Sequence, residues 1–577
     1  MGHSHGHDHH HDHDHDHDHG HGSAHPTPEA VDTSIPDSEL SPRDLSRRTL
    51  LRNAGLLGAG AGAMSVFGTG VGTAAAASGG KAKAVEDDEL TYVAGDHHIH
   101  TQFSSDGMYR VEDQARRAAE YGLDWMVVTD HGSAAHAKIG VEKVNPEIVA
   151  SREANPRTLV FQGLEWNIPA AEHGTVFVAP GPNEVAVLKE FENTFDGSVT
   201  GTSSGVPGAP TTPAREALAI TGIQWMAQQK QAGRVQDAIM FANHPARLGI
   251  DSPHEIRGWR DAAPGIFTGF EGAPGHQAAQ LEGGARGAYG NSPGAASFPA
   301  YPLASYRTHG GFDWMTATVG GLWDSLLAEG RPWWITANSD SHSNYGDRLV
   351  RGAFGPGEDF NTLGQYNDPI DSGVPQLDRS DFWPGQYSRT HVGVSRFGYL
   401  DVMSGLRAGR IWVDHGQLID GIDVRLRLRG SEQRTATLGG VLTVPRGSRV
   451  DLEVTIDLAS RPNLAGEMPR LRRVDAIAGA VTGLSTDKDS FRAPQTTVVE
   501  SFEVSQASGR VELSMRFRPV EEAFYVRLRG TDANRTGVGF YGASVDPEGP
   551  AMDIPGQGSP WEDLWFYTNP IWVNVTP

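Results

Sequence analysis

The chain has 577 residues, a formal net charge of −23 and no cysteine. At about 100 to 200 residues per domain this length allows two or three domains with real cores, and its interspersed acidic excess excludes the basic stripe by which a protein grips nucleic acid. Without cysteine there is no disulfide, thiolate ligand or thiol nucleophile, so any metal must be held by histidine and carboxylate.

The first 22 residues, MGHSHGHDHHHDHDHDHDHGHG, are low in complexity, and the first 25 hold twelve of the chain's 25 histidines. Residues 1–40 therefore read as a disordered leader that buries no apolar surface and would chelate divalent metal loosely. Arg47 and Arg48 then precede an uncharged run from Ala54 to Ala77 that is rich in Gly and Ala. Residues 41–80 resemble a twin-arginine export signal with a small-residue cleavage site near Ala75 to Ala77. The run is long enough to span a bilayer but only weakly hydrophobic, so cleavage is expected, with no lasting membrane anchor and a secreted or cell-envelope destination.

From about residue 90, short apolar runs alternate with helical patterns. The runs at 124–130, 158–165, 174–180, 237–244, 265–272 and 332–340 read as buried strands that end in polar residues. Between them, 111–122, 213–233 and 318–330 repeat apolar residues at helical spacing and stop at glycine. This alternation predicts an α/β fold of parallel strands and crossover helices over residues 81–417, either a barrel or a doubly wound sheet. Stretches rich in Gly, Pro and Ser at 193–212, 273–312 and 353–390 exceed ordinary connections and predict rims or lids. After 398–416 the pattern turns to strand-like alternation in IDVRLRLRG, RVDLEVTIDL, RVELSMRFRP and AFYVRLRG, so residues 418–577 read as a mostly antiparallel β-sandwich domain.

The chemistry gathers at the strand ends. In GDHHIHTQFSSDG (95–107), strand periodicity puts His98 and His100 on one face with Asp96 and turns His97 away. Two imidazoles side by side make a bidentate seat for a borderline metal, to which Asp106 could return from the following loop. The same arrangement recurs: His131 follows its strand in VVTDH, with Asp130 as a supporting neighbour, and Glu165 ends QGLE. His173 opens EHGTV, His244 ends FANH, and Asp340 and His342 stand two apart in NSDSH. Outside the leader there are thirteen histidines, and six of them fall at these termini. Any one alone reads better as a buried hydrogen-bonding residue, a cap or a salt bridge. Nine ionisable groups around one barrel mouth, however, could not be buried without cations.

In this order, HIH, SSDG, TDH, GLE with EHG, NHP and SDSH, the chain resembles the polymerase and histidinol phosphatase (PHP) superfamily over about residues 90–415. LRAGRIWV and the closing WFYTNPIWV resemble its carbaryl hydrolase-like branch. The resemblance implies a distorted (β/α)7 barrel followed by the sandwich domain, and three metal positions. His98, His100, Glu165 and Asp340 would hold the first; Glu165, as a bridging carboxylate, would share the second with His173 and His244; Asp106, His131 and His342 would hold the third. Many members carry His where Asp106 stands, so two or three divalent ions are expected, with zinc, manganese and iron all suited to this donor set.

A water bridging such ions has its pKa lowered toward about 7, and the ions neutralise charge on the oxygen under attack. Asp340, Glu165 and His342 would carry the catalytic roles. Phosphate would want a cation opposite the metals, for which Arg247, Arg348 and Arg389 lie in or beside the motif loops, with His276 and His309 as further substrate contacts. The reading is an exported metal-dependent hydrolase of small phosphate mono- or diesters. The same site could serve carboxylic ester, amide or carbamate hydrolysis if Trp166, Trp314 and Phe312 lined an apolar pocket. A protein that binds metal without turnover is a third reading, in which the leader carries the function.

Overall fold

The structure is a computed structural model that describes residues 90–577 apart from 283–292, 432 and 557. The leader and the export signal lie outside the described residues.

Seven strands lie side by side in chain order: β1 (Thr91–Asp96), β2 (Trp125–Val128), β3 (Leu159–Asn167), β4 (His173–Val178), β5 (Ala238–Ala242), β6 (Phe267–Pro274) and β7 (Trp334–Asn338). Their runs are buried nearly throughout, WMVV of β2 and AIMFA of β5 completely, as strands covered on both faces must be. Covering helices include α1 (Val111–Glu120), α2 (Val141–Ala154), α3 (Glu184–Phe195), α4 (Thr212–Gln231), α5 (Pro253–Ala262) and α6 (Leu322–Leu327). In α1, Val111, Ala115 and Ala118 repeat at helical spacing and are buried, with acids in its first turn and Arg117 in its last. Ser252 and Glu255 close a capping box on α5, whose first residue is proline.

The expectation of parallel strands throughout needs one correction: β4 runs antiparallel to both β3 and β5. Its connection to β3 is too short for a crossover helix, and the chain returns directly. The first residue of β4 is thereby delivered to the sheet end where the other strands finish. The sheet curls until the segments past β1 and β7 meet, where Ile99 bridges Ser341 in parallel and the His100 amide donates to the Ser341 carbonyl over 3.0 Å.

On the far side of β1 the sheet continues. A hairpin of β8 (Leu349–Gly352) and β9 (Asn367–Asp371) stands apart, and then β10 (Ser388–Val394) pairs antiparallel with β1 and with β11 (Ile411–His415). Next to β11 lies Trp565–Thr568 from the chain's end, followed by Phe524–Thr531 and Ile571–Thr576. The tail strands are thus antiparallel, as their alternation predicts, except for the parallel pair Val441–Pro445 with Ile571–Thr576. One tail layer is a separate four-stranded antiparallel sheet, whereas the other is an extension of the first domain's sheet. Val424, Leu452, Val454 and Ile456 from one layer meet Val474, Leu528 and Phe566 from the other in the core between them. Among the described residues no helix is long and apolar enough to cross a membrane.

One buried ion pair fastens the tail to the first domain. Arg527 donates through Nε and Nη2 to the two oxygens of Asp324 in α6, each over 2.8 Å, with both side chains fully buried. The guanidinium also lies 4.5 Å over the Trp323 ring. Replacing Asp324 with Asn strands the arginine charge, so the variant should lose about 3–5 kcal/mol of stability, read as a lowered midpoint in chemical denaturation. A midpoint equal to that of the parent would show that the pair does not fasten the domains.

Candidate metal centre

The strand ends converge on Glu165. Its Oε1 lies 3.1 Å from each of His98 Nε2, His173 Nδ1 and His244 Nε2. Its Oε2 lies 3.4 Å from His100 Nε2 and 3.5 Å from His131 Nε2. Asp340 Oδ1 sits 3.0 Å from His98 Nε2 and 3.2 Å from His100 Nε2, and the two Nε2 atoms are 3.1 Å apart. Asp106 Oδ2 completes the outer edge, 3.4 Å from His342 Nε2 and 3.8 Å from His131 Nε2. All nine sequence-derived ligand candidates therefore stand in one cluster.

These separations fit cations. Donors about 2.1 Å from a tetrahedral ion stand about 3.4 Å from one another, the upper end of the 3.0 to 3.4 Å found among His98, His100, Glu165 and Asp340. Both Asp340 oxygens are buried, and neither accepts a hydrogen bond of good geometry.

Hydrogen bonds also fix the imidazole tautomers. His98 donates from Nδ1 to Glu271 over 2.7 Å, and His342 donates from Nδ1 to the Asp340 carbonyl over 2.8 Å. The Ser104 hydroxyl gives its proton to Asp106, so His100 must donate to it from Nδ1, over 3.0 Å. In each neutral ring the Nε2 lone pair is left facing the cluster, the condition a metal ligand requires.

Burial pushes His100 down to about 4 and, with the nearby Arg247 charge, His244 down to about 3. Against burial, Asp340, Glu271 and Glu165 hold His98 well above the ordinary histidine range, and Asp106 and Asp340 do the same for His342. Glu165 is held well below the usual carboxylate range, its burial outweighed by His173, His98 and His131. The backbone is strained here as well: His244, Asp340 and His276 take φ values of 31°, 47° and 54°, in the left-handed region. Gly275 makes room for this, since a Cβ there would lie 2.4 Å from the Asp340 Cβ.

Asp96, expected on the face of His98 and His100, is not among the donors; it accepts from the His98 and Ser339 amides and ties β1 to β7. His97 points away as predicted, held by Thr175 and Thr336 and pushed down to about 3 by burial. Asp130 supports the site by accepting from the Thr101 amide and hydroxyl. Arg247 stands beside the cluster, donating to Glu172 Oε2 over 3.0 Å. His276 lies within it, Nε2 being 2.8 Å from Asp340 Oδ2 and Nδ1 2.5 Å from Asp381 Oδ1; against burial, those two carboxylates push the imidazole up to about 9.

Arg389 does not join the cluster. Its buried side chain donates instead to the carbonyls of Gly385 and Tyr121. Arg348 is exposed on the β8–β9 hairpin against Asp371. His309 is half-buried away from the cluster, its backbone bridging Phe312 and Met552. Trp166, Trp314 and Phe312 are core residues rather than pocket lining.

Sequence reasoning missed Glu271 and Asp381. Glu271 holds the His98 ring with one oxygen and accepts the His244 amide with the other, over 2.8 Å. A lone acid inside the apolar strand GIFTGFEG was its signal. Asp381 comes from the long 353–390 stretch and accepts from the amides of His342 and Ser343. No periodicity marked it.

Residues 96–205 match the family model for the PHP domain. The matched stretch includes His98, His100, Asp106, His131, Glu165 and His173 and ends before His244, Asp340 and His342. No curated protein matches the chain significantly. Among solved structures it is similar, at 14% identity and a TM-score of 0.29, to a two-domain protein from Bacteroides vulgatus described as containing a predicted PHP-like metal-dependent phosphoesterase, over 76% of this chain and 90% of that one. Likeness at that level says nothing about this chain's activity.

Two outcomes follow from the geometry. Glu271→Gln should weaken metal binding by about 10- to 100-fold, since the carboxylate that orients His98 is lost; titration of the chelator-stripped protein measures this. Because the neighbouring carboxylates hold His98 and His342 well above the ordinary histidine range, and a metal needs the bare Nε2, metal uptake should release protons and affinity should rise as the pH rises through and beyond that range. Calorimetry in two buffers of different ionisation enthalpy reads the proton count directly.

Proposed function

We propose that the protein is a metal-dependent hydrolase whose substrates are small phosphate mono- or diesters. The clustering of nine histidine and carboxylate donors, with Glu165 at their centre, carries the hydrolase reading. Two or three divalent ions, zinc, manganese or iron, would be held as the resemblance implies: one by His98, His100, Glu165 and Asp340, one by Glu165, His173 and His244, and one by Asp106, His131 and His342. Bound there, such ions supply an acidified water and neutralise charge on the attacked group. Seven strands in order and the Ile99–Ser341 bridge support reading the domain as a distorted (β/α)7 barrel.

The chain's own groups divide the remaining work. Glu271, Ser104 and the Asp340 carbonyl keep the imidazoles in one tautomer. Arg247 is anchored by Glu172 and close enough to hold His244 down, so it can meet a phosphoryl oxygen with a fixed cation. His276, partly exposed between Asp340 and Asp381, would face the leaving group. Arg247 favours phosphate over acyl chemistry, as does the absence of Trp166, Trp314 and Phe312 from the site. Arg47 and Arg48 with the Gly/Ala run support export by the twin-arginine route to the envelope or medium. No nucleic acid partner is proposed.

Elemental analysis combined with turnover of p-nitrophenyl phosphate, bis-p-nitrophenyl phosphate and 1-naphthyl N-methylcarbamate tests the proposal. Two or three metals with phosphoester turnover, both lost in Glu165→Gln, are expected; carbamate turnover alone would move the protein to acyl chemistry. Arg247→Ala should keep its metals and raise KM for p-nitrophenyl phosphate by about tenfold or more, as loss of one charge-assisted hydrogen bond predicts. An unchanged KM would remove the arginine from the substrate site.

A further inference from the structure

The loop that carries Asp106 is held from outside. Asp106 is the one donor of the cluster with a substantially exposed side chain, 42%, against 2% or less for Glu165, His98, His100 and Asp340. A carboxylate on an exposed loop loses its geometry easily unless the backbone beneath it is fixed. Here the backbone is fixed by the β8–β9 hairpin and the turn between its strands. Arg351 of β8 donates from Nε to the Gly107 carbonyl over 3.0 Å and from Nη2 to the Asp106 carbonyl. Tyr366 donates from its hydroxyl to the Ser105 carbonyl and from its amide to the Gln102 carbonyl, each over 2.8 Å. The Arg351 guanidinium lies 4.3 Å over the Tyr366 ring, so the two donors brace each other.

Four carbonyls of one six-residue loop, those of Gln102, Ser105, Asp106 and Gly107, are thus taken by two residues of a hairpin that contributes no ligand of its own. An ordinary rim hairpin would touch its neighbour through side chains and water. This one binds the main chain on both sides of Asp106 and also reaches Gln102, whose side chain donates to Asp368 of β9. We infer that Arg351 and Tyr366 are positioning residues for Asp106, and that docking of the hairpin decides whether the outermost metal position, formed by Asp106, His131 and His342, is filled. The inference rests on the metal-centre reading above and adds a determinant of occupancy to it. His98, Glu165, His173, His244 and Asp340 hang on the strand ends, and of the deeper donors only His100 touches the braced loop, through Ser104.

The test is metal titration of the chelator-stripped full chain with Zn²⁺ and separately with Mn²⁺, followed by calorimetry and elemental analysis, with the leader common to every variant. Asp106→Asn marks which binding step belongs to the outer position. Arg351→Ala and Tyr366→Phe should weaken that same step by about 10- to 100-fold and leave the tighter steps unchanged. Arg351→Lys, which restores one donor to a carbonyl, should recover part of the loss. Unfolding of the metal-free variants at the parental midpoint would separate positioning from general destabilisation. If Asp106→Asn loses the step while Arg351→Ala and Tyr366→Phe keep it, or if the apo variants simply unfold earlier, the hairpin inference is overturned and the metal centre stands. If Asp106→Asn changes nothing, the outer position and the inference fall together. If Glu165→Gln also binds like the parent, the metal-centre reading itself is wrong.

Discussion

The contact on which this structure depends is Glu165 among five imidazoles, those of His98, His100, His131, His173 and His244, at 3.1 to 3.5 Å. A carboxylate and that many basic nitrogens are costly to take out of water together, because a ring whose outward N–H is already bonded, as in His98 and His100, turns only a lone pair inward when it is neutral. The surrounding structure resolves the conflict in one direction. Glu271, Ser104 and the Asp340 carbonyl take the outward protons, so the inward nitrogens stand ready for cations. Left-handed backbone at His244, Asp340 and His276 aims these residues where relaxed geometry would not, and strain of that kind persists only where the packing around it over-determines the fold.

Much of this was legible in the sequence because two periodicities coincide. Strand alternation put His98 and His100 on one face, and the scarcity of histidine outside the leader made six occurrences at strand ends meaningful. What stayed hidden depended on non-local pairing. Nothing near His173 announces that β4 runs backwards, although that reversal is why a residue at a strand's start joins residues at other strands' ends. Arg389 looked well placed, but β10 pairs antiparallel outside β1, and the guanidinium is taken by the carbonyls of Gly385 and Tyr121. Asp381 lies in a stretch with no period at all, and its role rests on where the 353–390 segment returns.

The tail is bound to this arrangement more closely than the change of sequence pattern at residue 418 suggests. Trp565–Thr568 extends the first domain's sheet through β11, Asn569 accepts the Ile335 amide of β7, and Arg527 grips Asp324. These contacts brace the sheet whose strand ends carry the chemistry. A braced sheet suits a site that brings nine side chains together, since packed strands place residues more accurately than loops do.

The mouth follows a different rule. From Glu165 outward to Asp106, burial falls away and loops replace strands as supports. Donors in the dry interior attract a cation through a low dielectric and release it only with their own desolvation to oppose the loss, whereas a donor near water competes with solvent at every step. Affinity within one such cluster would therefore be graded by depth. On the proposed reading, an inner position built by strands and their outward hydrogen bonds would behave as part of the fold, and an outer one built by loops would be the position that conditions and neighbouring segments set. Such a gradient would let one scaffold combine a lasting centre with an adjustable one, without any change in the residues at its floor.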